Sequence, residues 1–139
     1  MSLSIRNQLP GTVTAVLPGA AMATVRVRLA GGQELTAAIS REAVEELGLV
    51  PGSAVRALVK STEVSLATAP VDGVSIRNVL PGTVTGVTTG AAMALVKVDA
   101  EGAGLTAVIT REAVEELGLS AGVPVVALIK STEVSLATG

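Results

Sequence analysis

The chain contains the same segment twice, and this internal repeat constrains the fold more than any other feature. Residues 4–31 align with residues 75–102 without a gap. After a shift of one residue, residues 35–68 align with residues 105–138, and the two blocks together keep 45 identities in 62 aligned positions. The repeat is longer than the roughly 20–50 residues of solenoid units. Each copy is therefore predicted to be a small domain, and a site in one copy is expected in the other.

The repeat predicts a first domain at 1–68, a linker at 69–74 and a second domain at 75–139. Domains of this size bury only about 60% of their unfolded surface. The chain has no Phe, Tyr or Trp, the residues that supply the largest single burials, yet 49% of its residues are hydrophobic. Because small aliphatic domains with this much apolar surface often bury part of it between subunits, we expect a homo-oligomer.

Composition excludes several classes of site. Cys and His are both absent, so disulfides, zinc fingers, thiol nucleophiles and imidazole bases are excluded. The net charge of −2 gives no basic field for a polyanion, and no nucleic-acid partner is expected. No apolar run reaches the roughly 18 residues of a membrane-spanning helix, and no charged leader opens the chain. The predicted location is cytoplasmic, without a membrane partner.

The residue pattern predicts an all-β fold with one short helix per repeat, built as two tandem OB-fold-like Greek-key β-barrels. Apolar and polar residues alternate with period two, and Gly and Pro mark the turns. In the second strand Val25, Val27 and Leu29 should face one way, and Thr24, Arg26 and Arg28 the other. The strands predicted in the first repeat are 11–17, 23–29, 35–39, 54–59 and 64–67, with 3–7 as a possible edge segment.

One helix is predicted between the third and fourth strands of each repeat, at Arg41–Leu47 in the first. Ser40, or Thr110 in the second repeat, stands at the N-cap position, and Gly48 fits the left-handed residue that ends a helix. The helical spacing places Ala43, Val44 and Leu47 on the inward face.

Three polar segments recur in both repeats and suggest a site for a tetrahedral oxyanion. They are 4–7 with 75–78, the hydroxyl at the helix start, and 60–62 with 130–132. Together they offer guanidinium, ammonium, hydroxyl and backbone N–H groups, which match the charge and the oxygens of such an anion. A structural interpretation stays open, in which Ser40 and Thr110 are simple N-caps and Arg6 and Lys60 are surface charges. Alternatively, Arg6 and Lys60 would pair with Glu45, Glu46 and Glu63.

The small-residue segment 19–23, repeated as 90–94, is first interpreted as a tight structural contact. Its close-packed backbone could also present N–H groups to an anion on a symmetry axis. No nucleotide-binding glycine pattern stands at a strand–helix junction.

These residues resemble the Mop domain, the unit of the molbindin family. SIRNQLPGTVTAV (4–16) is similar to the opening of that domain, and the likeness continues through GAAMATVRV (19–27), ISREAVEELGL (39–49) and ALVKSTEVSLAT (57–68). The chain is thus identified as a tandem Mop, or di-Mop, protein. The resemblance implies a barrel per repeat and a homotrimer of six Mop units. It also implies molybdate or tungstate as ligand, bound between units and on the threefold axis, with no catalytic cofactor and no directly ligated metal.

The resemblance also implies which residues form the sites. The oxyanion-binding residues would be Ser4, Arg6, Lys60 and Ser61 of one unit with Ser40 and Ala43 of a neighbour, and Ser75, Arg77, Lys130, Ser131, Thr110 and Ala113 in the second repeat. The axial sites would use Gly19, Ala20, Ala21, Met22, Gly90, Ala91, Ala92 and Met93. The sequence departs from the family pattern at two kinds of position. Ala43 and Ala113 stand where some relatives have a hydroxyl-bearing residue. Met22 and Met93 stand where some relatives have Asn.

The predicted function is storage and homeostasis of molybdate or tungstate. An oxyanion-sensing module that acts through a partner protein is the main alternative. An OB-type nucleic-acid module would need aromatic residues and a basic groove, whereas this chain has no aromatics and an isoelectric point near 5.1. An enzyme is not expected, because no base and nucleophile recur together.

Overall fold

The computed structural model describes residues 2–139, and both repeats follow the predicted order of three strands, a helix and two strands. The first repeat contains β1 (Asn7–Pro18), β2 (Met22–Leu29), β3 (Glu34–Ser40), α1 (Arg41–Leu47), β4 (Ala54–Val59) and β5 (Ser65–Ala67). The second contains β6 (Asn78–Thr89), β7 (Met93–Ala100), β8 (Ala103–Thr110), α2 (Arg111–Leu117), β9 (Pro124–Ile129) and β10 (Ser135–Ala137). A 3₁₀ turn precedes β5 at Ser61–Glu63 and β10 at Ser131–Glu133. The predicted fold class is confirmed: two curled five-stranded sheets form tandem OB-like half-barrels.

Each sheet takes one edge strand from the other repeat. The first sheet has the order β10-β4-β1-β2-β3, and the second has the order β5-β9-β6-β7-β8. In the first, Leu136 of β10 pairs with Ala57 of β4, and in the second, Leu66 of β5 pairs with Ala127 of β9. This reciprocal exchange ties the two half-barrels together through backbone hydrogen bonds. The domain boundaries drawn from the repeat stay a prediction.

An aliphatic core fills both half-barrels. On β2 the burial alternates as predicted, with Val25 and Val27 fully buried and Leu29 4% exposed, while Arg26 and Arg28 face solvent. Each such side chain contributes about 1.5–3 kcal/mol on burial, so many small contributions replace the missing aromatics.

Both helices have the predicted ends. The hydroxyl of Ser40 accepts a hydrogen bond from the backbone N–H of Ala43 at 3.1 Å, and Gly48 takes the left-handed conformation with φ 63°. The prediction that Leu47 faces inward is wrong, because Leu47 is 36% exposed. The left-handed turn at Gly48 redirects the chain, so that Leu49 is buried instead and its N–H bonds to the carbonyl of Val44 at 3.1 Å.

Several strand limits differ from those predicted. The first strand is longer at both ends, and only Asn7 of the proposed edge segment 3–7 lies in a strand. Residues 68–77 between the repeats lie outside helices and strands. Each of the two α-helices has seven residues, and within 2–139 the structure contains no helix with the length and apolar character that a membrane crossing needs.

Candidate functional site

The antiparallel pairing of β1 with β4 brings together the polar segments that precede β1 and follow β4. Asn7, the first residue of β1, pairs with Val59, the last residue of β4. Arg6 and Lys60 are the next residues outward from this pair, so the antiparallel register brings their side chains to the same end of the sheet. In the second repeat Asn78 pairs with Ile129 in the same way.

The result is a shallow cavity in each half of the molecule, which we call the first cradle and the second cradle. The first cradle has a volume of about 280 Å³ and is lined by Ser4, Ile5, Arg6, Lys60, Ser61 and Thr62 of the first repeat with Leu95 and Val108 of the second. The second cradle has a volume of about 330 Å³ and is lined by Ser75, Arg77, Lys130, Ser131 and Thr132. The structure thus brings eight of the twelve predicted oxyanion-binding residues into two matching groups.

The cationic groups of both cradles lack acidic partners. Within residues 2–139 the ion pairs join Arg28 to Glu34, Arg41 to Glu45 and Arg111 to Glu115, at 3.4, 3.6 and 3.7 Å. None of them involves the four cations of the cradles, so the alternative pairing of Arg6 and Lys60 with nearby glutamates is not observed. Each cradle therefore concentrates positive charge in a chain whose net charge is −2.

Backbone carbonyl groups hold the two arginine side chains in place. The guanidinium of Arg6 donates to the carbonyl oxygen of Leu3 at 2.6 Å and of Ser4 at 3.2 Å. Arg77 donates to the carbonyl oxygen of Val74 at 3.0 Å. These contacts fix the direction of each side chain without neutralising its charge, which leaves further N–H groups for an anion.

Each cradle also contains a buried hydroxyl without a hydrogen-bond partner. The Oγ atoms of Ser61 and Ser131, each at the start of a 3₁₀ turn, are buried and make no hydrogen bond to any residue that the structure describes. Leaving a buried polar group unpaired costs about 1–3 kcal/mol. The same unpaired hydroxyl beside the same two cations in both repeats indicates a group prepared for a ligand that accepts hydrogen bonds.

The other four predicted ligands lie at the helix starts. The hydroxyls of Ser40 and Thr110 each accept from the backbone N–H three residues on, at Ala43 and Ala113 respectively, at 3.1 Å. They line neither cradle. Thr110 nevertheless lies two residues beyond Val108 on β8, on the same face of the strand, and Val108 lines the first cradle.

The predicted axial segments form exposed turns between the first two strands of each repeat. The N–H of Gly19 donates to the carbonyl of Met22 at 2.8 Å, and Gly90 and Met93 repeat this bond. Those two amides are therefore already used. The side chains of Met22 and Met93 are 51% and 46% exposed, and Ala20, Ala21, Ala91 and Ala92 are exposed as well.

A third cavity lies between the two repeats and has the wrong charge for an anion. Its volume is about 420 Å³, and Glu101 supplies its one charged lining residue. Across residues 2–139 there is also no group of three or more acidic side chains that could hold a metal ion, and the sequence has no Cys or His. The two cradles are the candidates for function because each combines two cations with a buried hydroxyl that has no hydrogen-bond partner.

Sequence reasoning missed the residues that the opposite repeat contributes. Leu95 and Val108 line the first cradle, but nothing in the local sequence pattern shows that β7 and β8 pass beneath the residues of the first repeat. Asn7 and Asn78 each bond to the backbone of the opposite repeat. The only sequence signal for this role is that both repeats contain the same string SIRN.

The fold and the cradles define a class: a protein of two OB-like half-barrels with one cationic, hydroxyl-lined cradle per repeat. A family model, the TOBE domain, matches residues 3–66 and 74–136. The chain therefore belongs to the TOBE-domain family and carries two domains of the Mop type, as its resemblance to the molbindins implied.

Three comparisons show how far the similarity extends. The molybdenum-pterin-binding protein MopA of Rhodobacter capsulatus is 41% identical over 139 residues, which cover 99% of this chain and 52% of that protein. The molybdenum transport protein ModE of Azotobacter vinelandii is 38% identical over 138 residues, or 99% of this chain and 51% of that protein. This chain thus spans about half the length of these relatives. A crystal structure of the cytoplasmic molybdate-binding protein ModG with molybdate bound superposes with a TM-score of 0.97, at 40% identity and full coverage of both chains.

Proposed function

We propose that this protein binds molybdate and tungstate in its two cradles and serves in the cytoplasmic storage and homeostasis of these oxyanions. The observation that carries the proposal is the unpaired hydroxyl of Ser61 beside Arg6 and Lys60, repeated at Ser131. A tetrahedral dianion would satisfy that hydroxyl and balance the two cations at once.

The chemistry of the cradle suits an oxyanion rather than a bare metal ion. Arg and Lys provide charge-assisted hydrogen bonds, which are about twice as strong as neutral ones. Serine hydroxyls provide further donors, while thiolates and imidazoles, the ligands that transition metals prefer, are absent from the sequence. The protein would hold the anion through its oxygens, without a metal ligand of its own and without a catalytic step.

The relatives support this choice of ligand. MopA is named as a molybdenum-pterin-binding protein, and ModG is described as a cytoplasmic molybdate-binding protein whose crystals contain molybdate. The similarity to ModG covers the whole of both chains, so the segments that form the two cradles lie within the matched residues.

We extend the proposal to a homotrimer of six Mop units in which neighbouring units complete the sites. Ser40, Ala43, Thr110 and Ala113 would then supply donors at the open side of a cradle. The exposed apolar side chains of Leu17 (72%), Val50 (59%) and Met22 (51%) favour contacts between subunits. The turns at Gly19–Ala21 and Gly90–Ala92 would meet at the axis of the trimer as additional anion sites. Because a ligand stabilises the assembly that completes its coordination, binding and assembly would be coupled.

A sensing role is the second candidate, and one observation favours it. This chain matches about half of each ModE and MopA sequence, so the tandem unit also occurs within longer proteins. In that role the same cradles would report oxyanion levels to a partner protein.

Isothermal titration calorimetry with molybdate, tungstate and sulfate, combined with light scattering, tests the proposal. We expect saturable binding of molybdate and tungstate, weak binding of sulfate and the mass of a trimer. Failure to bind any of the three anions would overturn the proposed function. Intrinsic fluorescence is unsuitable because the chain has no Trp or Tyr.

A further inference from the structure

The two cradles have equivalent polar residues but differ in the strand residues that lie beneath them, which we call the floor of each cradle. In the first cradle, Leu95 of β7 and Val108 of β8 line the cavity and pair with each other in the sheet. The repeat alignment places Thr24 and Ala38 at the equivalent positions of the first repeat, and these two residues also pair with each other. The second cradle therefore lies over a shorter and more polar pair of side chains.

Packing supports this equivalence. The 3₁₀ turn Ser61–Glu63 of the first cradle packs on β8, and the turn Ser131–Glu133 of the second cradle packs on β3. Leu95 and Val108 reach the first cavity, whereas Thr24 and Ala38 do not line the second.

We infer that Leu95 and Val108 determine specificity and make the first cradle more selective than the second for large oxyanions over sulfate. This inference rests on the proposed function. Sulfate is the smaller dianion and holds its water more strongly, so it loses more hydration free energy when it enters a site with an apolar floor. The second cradle has no such apolar side chains in its lining, so it leaves more of the anion's water in place.

Variants with a single working cradle separate the two sites. Arg77→Ala with Lys130→Ala leaves the first cradle, and Arg6→Ala with Lys60→Ala leaves the second. For each variant, calorimetry gives the dissociation constants of molybdate and sulfate. The ratio of sulfate to molybdate dissociation constants should be about tenfold larger for the first cradle, which is the lower end of what one methylene decides in an apolar pocket.

Exchanging the floors tests the cause. Leu95→Thr with Val108→Ala, made where only the first cradle works, should lower the ratio to that of the second cradle. Thr24→Leu with Ala38→Val, made where only the second works, should raise it by a similar factor. The second exchange enlarges Thr24 and Ala38, which are not buried, so it should not disturb folding. It therefore tests the role of the floor residues even if the first exchange destabilises the protein. Circular dichroism melting of every variant provides the control for folding.

The outcomes separate the two claims. If neither single-cradle variant nor the original protein binds molybdate, the proposed function fails. If both cradles bind molybdate with equal selectivity, or if the floor exchanges leave the ratio unchanged, this inference fails while the proposed function stands. Ratios that follow the floor residues establish Leu95 and Val108 as specificity determinants.

Discussion

The side-chain amide of Asn7 pairs with the backbone of Thr106 across the boundary between the repeats. Asn7 Nδ2 donates to the carbonyl oxygen of Thr106 at 2.9 Å, and Asn7 Oδ1 accepts from the Thr106 N–H at 2.7 Å. Asn78 makes the same two bonds to Thr36, at 2.9 and 2.7 Å. Both asparagines are 2% exposed. Since Arg6 immediately precedes Asn7, this pairing also anchors the first cradle on the second repeat.

Replacing Asn7 by Leu should destabilise the protein. The change leaves the buried N–H and C=O groups of Thr106 without the two hydrogen bonds that the Asn7 side chain makes to them. We therefore expect the free energy of unfolding to fall by about 2–4 kcal/mol. Urea denaturation followed by circular dichroism measures it. Gln8→Ala is the matched control, because the Gln8 side chain makes one partly buried hydrogen bond, to the carbonyl of Ile5. Equal losses for the two variants would contradict the role given to Asn7.

Replacing Arg6 and Arg77 by Ala together should weaken molybdate binding at both cradles. A hydrogen bond to a charged group contributes about 1.5–3 kcal/mol, so the dissociation constant should rise at least about tenfold while the fold stays intact. Calorimetry provides the affinity and circular dichroism the fold. Arg26→Ala, on the exposed face of β2, removes a similar charge outside both cradles and should leave affinity nearly unchanged. An unaltered affinity in the double variant would show that the site is misplaced.

Replacing Ser61 and Ser131 by Ala should affect stability and binding in opposite directions. Without ligand, the variant loses two buried hydroxyls that have no partner, so its free energy of unfolding should stay constant or rise by about 1 kcal/mol. Molybdate affinity should fall, because each cradle loses one donor. Ser65→Ala, at an exposed position just beyond the first of these turns, is the control for both measurements. A clear loss of stability without ligand would mean that the hydroxyls have structural partners.

The strand β10 belongs to the second repeat but forms the edge of the first sheet. Removing it by ending the chain at Val134 should therefore destabilise the first half-barrel. Leu136 packs against the core, and β10 covers the edge of β4. Its loss should lower the melting temperature and expose a strand edge that promotes aggregation. Removing Gly139 alone is the control, since it leaves β10 in place. A melting curve equal to that of the control would contradict the exchange of strands between the repeats.

Local features of the fold could be predicted from the sequence because local chemistry determines them. Period-two alternation identified β2, and the N-cap Ser40 with Gly48 gave the limits of α1 correctly. Leu47 was misplaced because the spacing of a two-turn helix cannot show how the chain turns after Gly48.

The exchange of strands could not be predicted, because the repeats offer identical partners. β5 and β10 both have the sequence SLA, and β4 and β9 have similar apolar faces. A strand that fits one half-barrel therefore also fits the other, so the residue pattern does not decide between them. The polar cradle residues could be proposed from the sequence because they recur in both repeats next to strand ends, whereas the floor of Leu95 and Val108 was missed because it comes from the opposite repeat.

Anomalous diffraction from crystals grown with tungstate tests the central claim most directly, because tungsten scatters strongly enough to be located without ambiguity. The account predicts one anomalous peak in each cradle, one among Arg6, Lys60 and Ser61 and one among Arg77, Lys130 and Ser131. Peaks confined to other parts of the molecule, or no peaks at saturating tungstate, would contradict it.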